Sequence, residues 1–117
     1  MMKVQSHKDL KVWQESMLLV EDTYSIVKLF PSDELYGLTS QMRRASISVP
    51  SNIAEGAGRK TNKEWMRFLY IAMGSLSELE TQMELAVRLK FVEANPEYSQ
   101  RIFYIRNMLS KLIASLS

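Results

Sequence analysis

The 117-residue chain has no cysteine and a single histidine. The first absence excludes a disulfide framework, a thiolate metal site and a cysteine nucleophile, and it suits a reducing compartment. His7 has no second ligand or carboxylate pair near it in sequence, so neither a metal centre nor a general base is expected there. No run approaches the roughly 18 apolar residues a membrane span needs, and the N-terminal MMKVQSHKDL lacks the apolar stretch of a signal peptide. A cytoplasmic protein with no membrane partner is expected. The Glu-x-x-His signature of dimetal bundles is missing, so Glu78, Glu80 and Glu84 read as a solvated acidic face. Ser75, Ser77 and Thr81 have no histidine to activate them, and no Walker A loop is present. No enzyme, no cofactor and no metal is expected.

What the chain does have is helical periodicity. Hydrophobic residues make up 46% of it, enough for the core of one domain spanning residues 1–117. Four segments carry apolar residues at steps of three and four, and none alternates with period two long enough to be a strand. The seams are Leu10, Trp13, Met17, Val20, Tyr24, Val27; then Leu35, Leu38, Met42, Ala45, Val49; then Trp65 through Ala86; then Tyr98 through Leu116. Ser32 after Phe30-Pro31, the pair Thr61 and Glu64, and Asn95-Pro96 each carry the chemistry of a helix start. The spacing predicts helices over about 8–29, 33–56, 62–90 and 96–116, joined by short connections. The expected fold is all-α, an antiparallel up-down-up-down four-helix bundle.

Val12, Leu19 and Ile26 recur at seven-residue spacing away from the first seam, and Tyr36 and Ile47 lie off the second. Ile71, Phe103 and Tyr104 lie off the third and fourth. A helix that is apolar on more than one side is usually buried on more than one side. Val12, Leu19, Ile26, Tyr36 and Ile47 are therefore the expected interface of a homo-oligomer.

Charge is unevenly placed. The chain carries +2 overall, yet residues 43–67 hold Arg43, Arg44, Arg59, Lys60, Lys63 and Arg67 against only Glu55 and Glu64, a local +4. Such a window is the footprint a polyanion site leaves, and RNA or DNA is the partner it suits. Arg43 and Arg44 can serve an ion pair, a phosphate or plain solvation, because the arginine fork suits carboxylates and phosphates alike. The turn Glu55-Gly56-Ala57-Gly58-Arg59-Lys60 reads either as a glycine cap or as an anion cradle built from left-handed glycines at a helix start. Pro50 removes a backbone donor inside the second helix and should bend it, with Ser51 and Asn52 compensating the freed carbonyl near Ser46.

The stretch QMRRASISVPSNIAEGAGR from Gln41 to Arg59 breaks the pattern of a plain amphipathic helix. With WQES at Trp13–Ser16, FP at Phe30-Pro31, YGL at Tyr36–Leu38 and IAMGSLSELET at Ile71–Thr81, it resembles the four-helix-bundle family of 23S rRNA intervening-sequence proteins, which includes the accessory proteins of diversity-generating retroelements. The resemblance runs from about Asp9 to about Leu112. It implies a closed ring of five subunits that binds nucleic acid or docks a protein partner, as the retroelement proteins do with a reverse transcriptase. Those relatives look like strongly basic barrels, whereas this chain is only mildly positive.

Overall fold

A computed structural model describes residues 6–117. It contains four helices, α1 (Lys11–Val27), α2 (Ser40–Ala57), α3 (Asn62–Arg88) and α4 (Pro96–Leu116), with no strand among the described residues. Each helix packs on its neighbours in sequence, and α4 closes the bundle against α1. The contacts between α2 and α3, and between α3 and α4, run in opposite chain directions. Gly56 meets Trp65 while Ser48 meets Ser75, and Ser117 lies near Met66 while Arg106 reaches Glu80.

Three of the four seams are buried along most of their length where the periodicity puts them, with Leu35 of the second exposed and Trp65 and Leu116 half-buried. Met42, Ala45 and Val49 on α2, Leu69 through Ala86 on α3, and Tyr98 through Leu112 on α4 share one core. Two predicted helix starts also hold. Thr61 Oγ1 accepts the Glu64 N–H at 3.2 Å, and Asn95 Oδ1 accepts the Tyr98 N–H at 3.1 Å ahead of a helix whose first residue is Pro96. The far end of α3 stops with Lys90 in the left-handed region (φ 64°), while the Phe91 N–H reaches back to the Ala86 carbonyl at 2.9 Å.

Helix α1 departs from the expected phase through its middle, although Leu10 and Val27 of the expected seam are buried. Val12, Leu19 and Ile26, the expected subunit interface, are buried in the chain's own core, with Leu19 at 0% exposure, whereas Met17 of the expected seam is 41% exposed. The buried face runs Val12, Ser16, Leu19, Thr23, Ile26, with Val27 buried beside it. Its two hydroxyl residues hid it from a count of apolar positions. Burial is tolerable because each hydroxyl donates to the carbonyl four residues back, Ser16 to Val12 and Thr23 to Leu19, both at 2.7 Å.

The second helix begins later than the expected residue 33. A short 3-10 turn (Ser32–Glu34) and a π turn (Leu35–Thr39) precede it, the latter broken by the non-helical backbone of Gly37 within it. The Glu34 carboxylate accepts the Leu38 N–H at 3.1 Å and takes the role expected of Ser32. Pro50 lies buried inside α2. Ser51 is exposed and takes no part in compensating it, and Asn52 instead donates to the Ser48 carbonyl at 2.8 Å and to Ser48 Oγ at 2.9 Å.

Candidate nucleic-acid interface

Helix α2 ends at Ala57 and α3 starts at Asn62, so the turn between them presents Arg59 and Lys60 at one end of the bundle. Gly56 makes this end possible. A Cβ there would fall 2.6 Å from Trp65 Cδ1 and 2.9 Å from Phe68 Cβ, distances no real side chain tolerates. Only a glycine lets α3 lay Trp65 and Phe68 against α2. Arg59, three residues on, then projects its guanidinium over the Phe68 ring at 4.9 Å from the centroid, and Arg67 places its own at 5.2 Å from the same centroid.

The Glu55 carboxylate meets Arg59 Nη2 at 2.7 Å. No ion pair forms at Lys60, Lys63 or Arg67 among the described residues. Lys60 and Lys63 are exposed on the turn and in the first helical turn of α3. Arg59, Lys60, Lys63 and Arg67 thus outnumber the Glu55 and Glu64 carboxylates at this end, a surface suited to phosphate. The anion cradle built from left-handed glycines is absent. Gly58 has φ −88°, no glycine among the described residues has positive φ, and Gly56 is a packing residue inside the helix.

Arg43 and Arg44 do not join this cluster. Thirteen residues of helix separate Arg44 from Ala57, about 20 Å at 1.5 Å per residue. Arg43 lies over the Tyr24 ring at 5.2 Å, with its Nε buried and without a partner. Arg44 lines a shallow groove with Gln41, Ser48 and Glu78. Tyr36 and Ile47, the remaining expected interface residues, do lie together with Leu35 and these two arginines on one surface, and Tyr36 is 94% exposed. The basic window therefore divides into a phosphate-suited end and a mixed aromatic and arginine patch on the side of α2.

Other sites offer less chemistry. A groove of about 590 Å³ between the end of α3 and the start of α4 is lined by Glu80, Glu84, Arg88 and Asn95 among others. Its charges are matched locally, Glu84 with Arg88 at 2.9 Å and Glu80 with Arg106 at 3.2 Å. His7 packs edge-on against Trp13 at 5.2 Å. No group of acidic or histidine side chains suited to a metal occurs among the described residues, and no described helix is long and apolar enough to cross a membrane. Phe68 is the site residue the sequence did not single out. Its signal is faint, an aromatic beside Arg67 whose contact with Arg59 depends on a turn closed over Gly56.

Comparison with known proteins agrees with this fold. The chain is similar to a protein of unknown function from the S23 ribosomal protein family of Bacteroides thetaiotaomicron VPI-5482, whose crystal structure was solved at 1.70 Å resolution. The TM-score is 0.62 at 19% identity, over 90% of this chain and 94% of that one. No curated protein matches. Residues 8–113 match the family model described as 23S rRNA-intervening sequence protein, and the chain belongs to that family.

Proposed function

We propose that the protein is a non-enzymatic, homo-oligomeric bundle of the cytoplasm that binds nucleic acid, RNA above all, through phosphate contacts at the α2–α3 end. The observation that carries this reading is the excess of Arg59, Lys60, Lys63 and Arg67 over Glu55 and Glu64 at this end, with Arg59 and Arg67 both on the Phe68 ring. Such a site reads charge and not base identity, so binding is weakly selective for sequence. Self-association draws on the exposed patch of Leu35, Tyr36 and Ile47, and a closed pentamer is the assembly the family resemblance favours. A ring repeats the basic end, so several weak sites act together through effective concentration.

Fluorescence-anisotropy titration of a short RNA at several salt concentrations tests the reading. Log affinity should fall linearly with log salt, by roughly 0.7 per phosphate contact for a single strand. Replacing Arg59, Lys60 and Lys63 together by Gln should lower both affinity and slope without changing the oligomer seen by light scattering. The same replacement at Arg43 and Arg44, beside Tyr36 and Ile47, should instead disturb assembly. No binding at low salt, or a slope unchanged in the triple variant, rejects the site. The alternative is then an oligomeric scaffold for a protein partner, as retroelement accessory proteins provide for a reverse transcriptase, which draws on the exposed Phe103 and Tyr104 of α4.

A further inference from the structure

We propose that Phe68 is the positioning residue of the phosphate site, holding Arg59 and Arg67 on its ring so that the two guanidinium groups act as one preformed clamp. The inference rests on the RNA-binding reading above. Two like charges do not gather on one ring without something to hold them there. Each guanidinium carbon lies within 5.2 Å of the Phe68 centroid, so the two are no further apart than twice that distance. Like charges at such a separation repel weakly in water, and the Glu55 carboxylate is bonded to Arg59 alone. The attraction of each cation for the electron-rich ring face opposes that repulsion and removes rotamer freedom from two long side chains.

The consequence is recognition with less ordering on contact. A free arginine must give up side-chain freedom when it binds a phosphate, whereas one already stacked has given it up in the free protein. A bound phosphate would also add negative charge beside both guanidinium groups. Phe68 itself is fixed from behind. It belongs to α3, and its Cβ sits in the space that Gly56 leaves open, so the backbone of α2 sets the height of the clamp.

A positioning role and a contact role separate in one titration. Phe68→Leu keeps an apolar side chain against Gly56 and removes the ring. It should weaken binding of a short single-stranded RNA about 3- to 10-fold while leaving the salt slope at the wild-type value, because no phosphate contact is deleted. Arg67→Gln should weaken binding and also lower the slope by about 0.7. Phe68→Tyr, which keeps the ring, should restore wild-type affinity. Arg67→Lys offers a test that leaves the packed residues untouched, and it should behave as Phe68→Leu does, with charge and slope kept and the flat stacking surface lost. Thermal melts of each variant establish that the bundle is intact. Wild-type protein that binds no RNA overturns both the functional reading and the clamp. Wild-type binding that weakens in the arginine-to-glutamine variants but is unchanged in Phe68→Leu and Arg67→Lys overturns the clamp alone, as does a Phe68→Leu slope that falls with the affinity.

Discussion

The two seams that flank the bundle are built on opposite principles. Between α1 and α4 the joints are polar. Thr23 Oγ1 and the Tyr98 hydroxyl meet at 2.7 Å in the core, and Arg101 reaches Glu15 at 2.9 Å and Asp22 at 2.8 Å. Between α2 and α3 the joint is close approach. Gly56 admits Trp65 and Phe68, and a single hydroxyl bond, Ser75 to Ser48 at 2.8 Å, crosses the middle. The arginines differ in the same way. Arg101 has two carboxylates and belongs to the fold, while Arg59 and Arg67 have one between them. A cation matched by carboxylates holds helices together, and a cation left over is what the surface offers to a partner.

The sharpest way to break this contrast is to put a charge inside α1. Leu19→Glu buries an unpaired carboxylate where nothing is exposed, and we expect a loss of more than about 4 kcal/mol, seen as unfolding by circular dichroism at room temperature. Had Leu19 faced a neighbouring subunit, the same variant would give a helical monomer. Gly56→Ala attacks the other seam. Its methyl must displace Trp65 and Phe68, so we expect about 1–3 kcal/mol of destabilisation and a lower melting temperature, with weaker RNA binding as Phe68 shifts.

Tyr98→Phe sharpens the comparison on the polar side. It removes one core hydrogen bond but leaves Thr23 bonded to Leu19, so about 1 kcal/mol should be lost near neutral pH. Burial pushes the Tyr98 phenol well above its ordinary value, against a smaller lowering effect of the Thr23 bond and with the Asp22 carboxylate adding to the rise. The unfolded chain therefore ionises first as pH climbs past about 10. Stability from this group is complete below that pH and is lost above it. Urea denaturation at pH 8 and pH 10.5 should show a smaller alkaline loss in the variant than in the wild type. The smallest effect is expected at Gly74. A Cβ there meets nothing within 4 Å, so Gly74→Ala should raise stability by about 0.5–1 kcal/mol through helix propensity alone. A rise in melting temperature beside the fall at Gly56 would show that one glycine is needed for contact and the other is not.

Much of the fold was legible because most of its information is local. The α3 and α4 seams contain few polar interruptions, and Thr61 and Asn95 carry their capping function in their own side chains. Helix α1 was misread because Ser16 and Thr23 count as polar in any periodicity, although their hydroxyls satisfy themselves within the helix. The excess of positive charge was legible too, but its geometry was not. Arg44 and Arg59 share a window in sequence, yet a length of helix separates them, while Arg59 and Arg67 meet only because the turn folds back over Gly56. Gly56 shows the same limit. A glycine near a helix end reads as a cap, and only the opposing helix reveals that it makes room for an indole and a phenyl ring.

Helix α1 has two apolar faces, one through Val12, Leu19 and Ile26 and another through Trp13, Val20 and Tyr24. Oil-like burial alone discriminates poorly between rotations of such a helix, since either face could satisfy the core. The Thr23 bond to Tyr98 and the Arg101 bonds to Glu15 and Asp22 exist in one rotation only. They act as an index pin, widening the energy gap between the native packing and its near-degenerate rival more than they deepen the native state. A chain stripped of Thr23 and Arg101 together would keep its helices and its compactness but lose the uniqueness of one of them, with α1 sampling two registers about the bundle axis.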